Sequence, residues 1–199
     1  MQGAVKQESR DSLRNAALSH RRRLAQADCL SWSRSIQDIA VAMPHFRTAQ
    51  SVALYSSIQN EVATETILGE SLASGKRVYF PKLSGDGPVG FAQVHNGSDL
   101  IAGPGGVREP AIPHIVSLID CNDLIIFTPG VLFDRRGYRL GRGGGWYDQV
   151  LAGLKGHGVF VGLAYDCQIV EQLPAASWDQ RVHFIISQSN LVDCGLKRL

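Results

Sequence analysis

LIIFTPGVLFDRRGYRLGRGGGWYDQVLAGL, residues 124–154, decides the fold. Its first five residues are uninterruptedly apolar or β-branched, which predicts a strand buried on both faces. Pro129-Gly130 closes that strand. Residues 141–145 form a glycine-rich loop, and residues 146–154 read as a helix. Residues 159–164 (VFVGLA) then predict a second buried strand. Strand, crossover helix and strand in this order make a parallel pair, because a tight hairpin can join only antiparallel strands.

The same alternation extends outward. Residues 51–55 (SVALY) predict a strand. A turn at Gln59 and Asn60 leads to a helix over 62–73, ended by Ser74-Gly75, and residues 77–80 (RVYF) predict a strand stopped by Pro81. Residues 84–113 are rich in glycine and proline and predict short strands, such as 89–94, followed by a long loop. Residues 182–186 predict the last strand. Ahead of all this, Leu13, Ala17, Leu24, Leu30, Ile36, Ile39 and Ala40 recur at helical spacing and predict two helices over 9–42. Asp28 is placed to cap the second of them, and Pro44 to stop it. The expectation is one α/β domain over residues 1–199, layered on a mainly parallel sheet.

Composition narrows the function. Of 199 residues, 44% are hydrophobic and 19% charged, enough apolar material for a sizeable core; the formal net charge of +2 gives no reason to expect a nucleic-acid partner. The first twenty residues are polar, so no signal peptide is expected, and no apolar run is long enough to span a bilayer. Cys29, Cys121, Cys167 and Cys194 lie far apart without CxxC spacing, which predicts free thiols in a cytoplasmic protein. Arg21, Arg22 and Arg23 read as a solvated helix face.

The chemistry concentrates in RLGRGGGWYD, residues 139–148. Glycines let backbone N–H groups approach an anion, and the helix that follows offers its positive dipole end. Arg139 and Arg142 add charge suited to phosphate oxygens. Asp148, one turn into the helix, is placed to hold magnesium beside bound phosphates. The alternative is a flexible surface turn before an amphipathic helix. No Lys-Ser or Lys-Thr follows the glycines, so this is not a Walker loop. Gly85, Gly87 and Gly90 formally spell GxGxxG, but Pro88 interrupts them and a strand-like run follows where a dinucleotide site needs a helix.

Residues 124–148 resemble the hallmark of the 5-formyltetrahydrofolate cyclo-ligase family: an apolar strand, Pro-Gly, Phe-Asp, Arg-Leu-Gly, glycines and two aromatics before Asp. Further segments resemble the family in order: Arg10 and Arg14 on the first helix, IQNEVATE (58–65), GKRVYFP (75–81), VREP (107–110) and VGLAYDCQIVEQLPAASWD (161–179). The resemblance implies a three-layer α/β/α sandwich like those of ribose-phosphate isomerases and coenzyme A transferases, with N-terminal helices. It implies ATP- and magnesium-dependent closure of 5-formyltetrahydrofolate to 5,10-methenyltetrahydrofolate, releasing ADP and phosphate. It assigns ATP to Arg10, Arg14, Arg139, Leu140, Gly141, Arg142, Gly143, Gly144, Gly145, Trp146 and Tyr147. It assigns folate to Ile58, Glu61 and Tyr147, magnesium to Asp148 and Asp179, and catalysis to Arg142 and Asp148. The partners implied are small molecules, with no membrane or nucleic acid, and the chain is expected to be a monomer. Two positions depart from the family: Trp146 stands where Tyr or Phe is usual, and His183 where many members have aspartate.

Asp134 is expected to form a turn rather than bind a ligand. Tyr55, Phe80, Trp146 and Tyr147 each suit a core or a stacking role, with Tyr147 favoured for the site. Two rivals remain: a sugar-phosphate isomerase or acyl transferase on a related fold, which would not need ATP, and a non-enzymatic folate- or RNA-binding module using Arg21–Arg23. Intact Arg139, Asp148 and Asp179 weigh against the second.

Overall fold

The computed structural model describes residues 2–84, 87–112 and 114–196, with side chains from residue 9 onward. Three helices open the chain, α1 (Gln2–Arg22), α2 (Gln26–Ala42) and α3 (Pro44–Thr48). Then come β1 (Ser51–Ala53), α4 (Glu65–Ala73), β2 (Arg77–Ser84) and β3 (Gly87–Val94). Short strands follow: β4 (Leu100–Ala102), β5 (Arg108–Pro110) and β6 (Ile115–Val116). The hallmark segment supplies β7 (Leu124–Thr128), β8 (Leu132–Asp134), β9 (Arg139–Leu140) and α5 (Trp146–Gly153). The chain continues through β10 (Val159–Leu163), β11 (Ile169–Val170), β12 (Phe184–Ile186) and β13 (Leu191–Asp193).

The main sheet runs β13-β12-β10-β7-β1-β2-β3-β6. Its centre, β12-β10-β7-β1-β2, is parallel, and β13, β3 and β6 join antiparallel at its two sides. Both faces are covered. Ile125 and Phe127 point into a core shared with Ile36, Ala40 and Phe46. Leu124 and Ile126, one residue out of phase, point into a second core with Leu151 and Leu154. That period of two explains why β7 is buried at every position. On α2 the buried face is Cys29, Ser33, Ile36, Gln37 and Ala40, the spacing of one helical stripe. The layered, mainly parallel α/β fold is as expected.

Four local expectations change. Asp28 is no cap: Ala25 holds that position without a side-chain bond, and Asp28 lies in the first turn, where the dipole favours an acid. Helix α4 begins at Glu65 rather than at 62, because Val62 is buried against the first core before the helix opens. Pro81 does not stop β2. The Tyr79 carbonyl accepts from Leu54 N, so the backbone of residue 81, two further on, faces the same side as β1; β1 pairs only as far as Tyr79, and the missing N–H of proline costs no ladder bond. Strand β12 is not the last, since β13 turns back on it. Of the GxGxxG decoy, Gly85 lies outside the described residues; Gly87 and Gly90 belong to the β2–β3 pairing, and the chain runs on from Gly90 as strand to Val94 instead of opening a helix.

A separate detail fixes the turn after β7. A Cβ at Gly130 or at Gly162 of β10 would overlap the Phe133 ring, which lies against both glycines. Phe133 is fully buried. Asp134, as expected, forms a turn: its carboxylate accepts from the amides of Arg136, Tyr138 and Leu173 and pairs with the Arg136 guanidinium at 2.6 Å.

Candidate active site

The parallel strands end on one side in a cavity of about 330 Å³. Tyr55 and Ser56 after β1, Pro129–Val131 after β7, Pro81 and Leu83 of β2, and the loop into α5 all line it. Ligands in open parallel sheets bind at this carboxyl edge, where loops diverge. The β2–β3 hairpin adds Pro88, and residues 107–108 close the far wall.

The glycine loop is open to solvent, and no atom outside it would obstruct a Cβ at Gly141, Gly144 or Gly145. Gly143 (φ 114°) and Gly145 (φ 65°) have left-handed backbones, which favour glycine and turn the chain into α5. Arg14 braces the loop from behind, its Nε donating to the Gly141 carbonyl at 2.8 Å while Nη1 pairs with Asp11. Leu140 serves through its backbone in β9; its side chain is buried with Val131, Leu132 and Leu173.

Beneath the loop lies the pair Arg139–Asp148. Arg139 Nη2 donates to Asp148 Oδ1 at 3.0 Å, Nη1 donates to the Gln180 carbonyl at 3.1 Å, and the guanidinium lies 5.8 Å over the Tyr147 ring. Burial pulls the Arg139 pKa down, and the charge of Asp148 opposes that shift. Asp148 Oδ1 also accepts from Gln180 N at 3.0 Å, while Oδ2 has no hydrogen-bond partner among the described residues. Asp148 lines the cavity and therefore keeps one oxygen uncommitted there.

Asp179 differs. Arg10 grips it with two bonds of 2.5 and 3.1 Å, and Ala176 N donates a third at 2.7 Å. Arg10 and Asp179 thus couple α1 to the segment before β12, outside the cavity lining. Among the described residues no three His, Cys, Asp or Glu side chains gather as a ready metal site.

On the opposite wall, Glu61 Oε1 accepts from Arg142 at 3.2 Å and from Arg21 at 3.2 Å, and Ile58 N donates to Oε2 at 3.2 Å. Arg142 also reaches Gln59 Oε1 at 3.2 Å. The structure therefore brings Ile58, Glu61, Arg142, Trp146, Tyr147 and Asp148 around one space. Trp146 lies against Phe91 (5.1 Å) and meets Tyr147 edge-on, so its larger ring fills the gap between α5 and β3. The Tyr147 hydroxyl is buried without a hydrogen-bond partner among the described residues, and burial followed by the nearby Glu61 charge raises its pKa. A buried orphan donor at a cavity wall is costly unless a ligand meets it. Tyr55 lines the cavity too, but its hydroxyl donates to the Val62 carbonyl; Phe80 is core.

Arg21 is the residue the sequence reading missed. Arg22 and Arg23 are solvated as expected, whereas Arg21 is 2% exposed. One signal could have found it: Arg10, Arg14, Ala17 and Arg21 recur at intervals of four, three and four, one face of α1. His183 is also structural: Phe160 N donates to its Nδ1 at 2.9 Å.

An arginine- and glycine-lined cavity at the carboxyl edge of a parallel sheet, with one uncommitted carboxylate oxygen, defines an α/β protein built to bind small anionic molecules. The chain belongs to the 5-formyltetrahydrofolate cyclo-ligase family, which it matches over residues 6–188. It is 33% identical to the 5-formyltetrahydrofolate cyclo-ligase of Escherichia coli K12 over 72% of this chain and 80% of that one. To the Haemophilus influenzae cyclo-ligase it is 34% identical over 73% and 79%. The solved structure of Aquifex aeolicus 5,10-methenyltetrahydrofolate synthetase superposes with a TM-score of 0.82 at 32% identity, covering 96% of this chain and 95% of that chain. A Mycoplasma pneumoniae synthetase, at 23% identity and TM-score 0.70, shares the fold.

Proposed function

We propose that this chain converts 5-formyltetrahydrofolate to 5,10-methenyltetrahydrofolate, spending ATP and releasing ADP and phosphate. One observation carries the reading: the glycine loop and Glu61 face a single cavity, with Arg142 reaching from one to the other at 3.2 Å. A nucleotide held by the loop and a reduced pterin held by Glu61 would then meet end to end.

An amide oxygen is a poor leaving group, so the formyl oxygen takes the γ-phosphoryl group and ADP departs. N10 then attacks the activated carbon and loses its proton, and the C–O bond breaks as inorganic phosphate leaves. Such a transfer asks for positioning and charge neutralisation rather than a protein nucleophile. Arg142 and the loop amides receive the phosphates, with Trp146 and Tyr147 against them. Arg139 fixes Asp148, Arg14 holds α1 against the loop, and Arg10 ties α1 to the Pro174–Asp179 segment. Glu61 accepts N–H donors of the pterin beside Ile58, and the buried Tyr147 hydroxyl gains its partner from substrate. Magnesium, when bound, neutralises phosphate charge. Asp148 Oδ2 suits it; Asp179, engaged by Arg10 and the Ala176 amide, enters its surroundings only through water or by exchanging Arg10.

The test is the absorbance of methenyl product formed from 5-formyltetrahydrofolate. Product should need both ATP and magnesium. Product without ATP, or none under any condition with well-folded protein, overturns the reading.

A further inference from the structure

We propose that Arg21 is a positioning residue for folate, acting through Glu61; the inference rests on the function proposed above. Every polar atom of the Arg21 fork is assigned. Nε donates to the Gln59 carbonyl at 3.2 Å, Nη1 to the Gly130 carbonyl at 3.1 Å and Nη2 to Glu61 Oε1 at 3.2 Å. These three acceptors come from two segments far apart in sequence, the turn before α4 and the turn after β7. Both turns line the cavity.

The turn before α4 is itself unusual. Gln59 and Asn60 both have left-handed backbones, at φ 50° and 58°, which few side-chain-bearing residues adopt without support. The support comes from the end of α1: the Asn60 amide donates to the Arg21 carbonyl at 3.1 Å and the Leu24 carbonyl at 3.3 Å. Arg21 thus holds the turn through both its backbone and its side chain, and the next residue is Glu61.

The two arginines on Glu61 differ in kind. Arg142 is 39% exposed and belongs to the glycine loop, so it can leave Glu61 for phosphate. Arg21 is 2% exposed and has no other anion to turn to among its hydrogen-bond partners. Arg21 therefore keeps the Glu61 carboxylate neutralised and aimed when Arg142 moves to the nucleotide. Lysine would keep the charge but not the planar fork that reaches three acceptors at once.

The test compares parent, Arg21→Lys, Arg21→Met, Glu61→Gln and the double variant Arg21→Met/Glu61→Gln, all screened for folding by thermal melts. Binding of a non-reactive 5-substituted tetrahydrofolate analogue is read by calorimetry without ATP, and the KM for ATP is read separately. Arg21→Met should weaken analogue binding about tenfold or more, with Arg21→Lys between it and parent, and with the ATP KM changed about twofold at most. The double variant should bind no more weakly than Glu61→Gln alone, because a residue acting through Glu61 has nothing left to position. Additive losses, or equal losses for folate and ATP, would assign Arg21 to general stability and overturn the inference. If Arg21→Met fails to fold, Arg21→Lys and the double variant, in which no buried carboxylate is left without the Arg21 charge, carry the same comparison. A parent that neither binds the analogue nor forms product refutes the proposed function instead; a parent that does both beside Arg21 variants that bind normally refutes only the role of Arg21.

Discussion

Asp148→Asn should uncouple two roles that one carboxylate combines. In the folded protein Oδ1 accepts from Arg139 and from Gln180 N, each at 3.0 Å, while Oδ2 has no hydrogen-bond partner among the described residues and Asp148 lines the cavity. Asparagine can keep its oxygen at the Oδ1 position and preserve both bonds. It loses the charge opposite a guanidinium that is 2% exposed, and it turns an NH2 toward the nucleotide. Breaking a buried pair outright costs about 3–5 kcal/mol; retaining the bonds, and with Asp148 partly exposed, leaves about 1–2 kcal/mol. For a domain of this size that is a fall in Tm of about 2–8 °C. Asp148→Ala removes both bonds and should approach the full penalty. In turnover, Asp148→Asn should raise the magnesium requirement sharply and slow the reaction more than it weakens folate binding. The assay is a magnesium titration of product formation beside a melt of each variant. A magnesium curve unchanged in both Asp148→Asn and Asp179→Asn refutes the metal assignment. A melt unchanged in Asp148→Ala refutes the energetic argument for the pair.

Three further outcomes are expected. Arg142→Ala should cost about 1.5–3 kcal/mol of ATP binding as a lost charge-assisted contact, and Gly144→Val, at a position where an added Cβ meets open space, should obstruct the nucleotide; normal ATP affinity in both folded variants would misplace the phosphate site. Glu61→Gln replaces one acceptor oxygen with a donor, so the folate KM should rise while the ATP KM holds; normal analogue binding with ATP hydrolysis abolished would move Glu61 into the chemistry. Cys167 is exposed and the other three thiols are buried, so a thiol reagent should label Cys167 first. Burial raises the Cys194 pKa from 9.0 to about 12. The folded state thus holds that proton more tightly, and the stability it contributes is whole below pH 9 and lost on rising toward pH 12, which alkaline melts of Cys194→Ala against parent would reveal.

The layered fold was legible because its decisive segments carry their own period. Residues 124–128 are apolar throughout, as a strand covered on both faces must be, and β7 is buried at each position. The glycine loop was legible because its backbone needs no side chains. Burial of Arg21 was not, because three consecutive arginines look alike until the helix is docked; only the face shared with Arg10 and Arg14 separates it from Arg22 and Arg23. Strand β13 escaped because an antiparallel edge of three residues is fixed by its partner and not by its own pattern. The commitment of Asp179 to Arg10 escaped as well, since the two are 169 residues apart.

Phe133 and the two glycines it touches share one fixed volume. Neither Gly130 nor Gly162 can acquire a methyl while the ring stays, and the ring cannot shrink without opening a void under the turn that gives Arg21 its carbonyl. These three positions are consequently not free to drift one at a time. A lineage that replaced Phe133 with a smaller side chain would be expected to regain stability by enlarging position 130, at the cavity wall, or position 162, outside the cavity lining. The folate end of the site would inherit the quality of that repair.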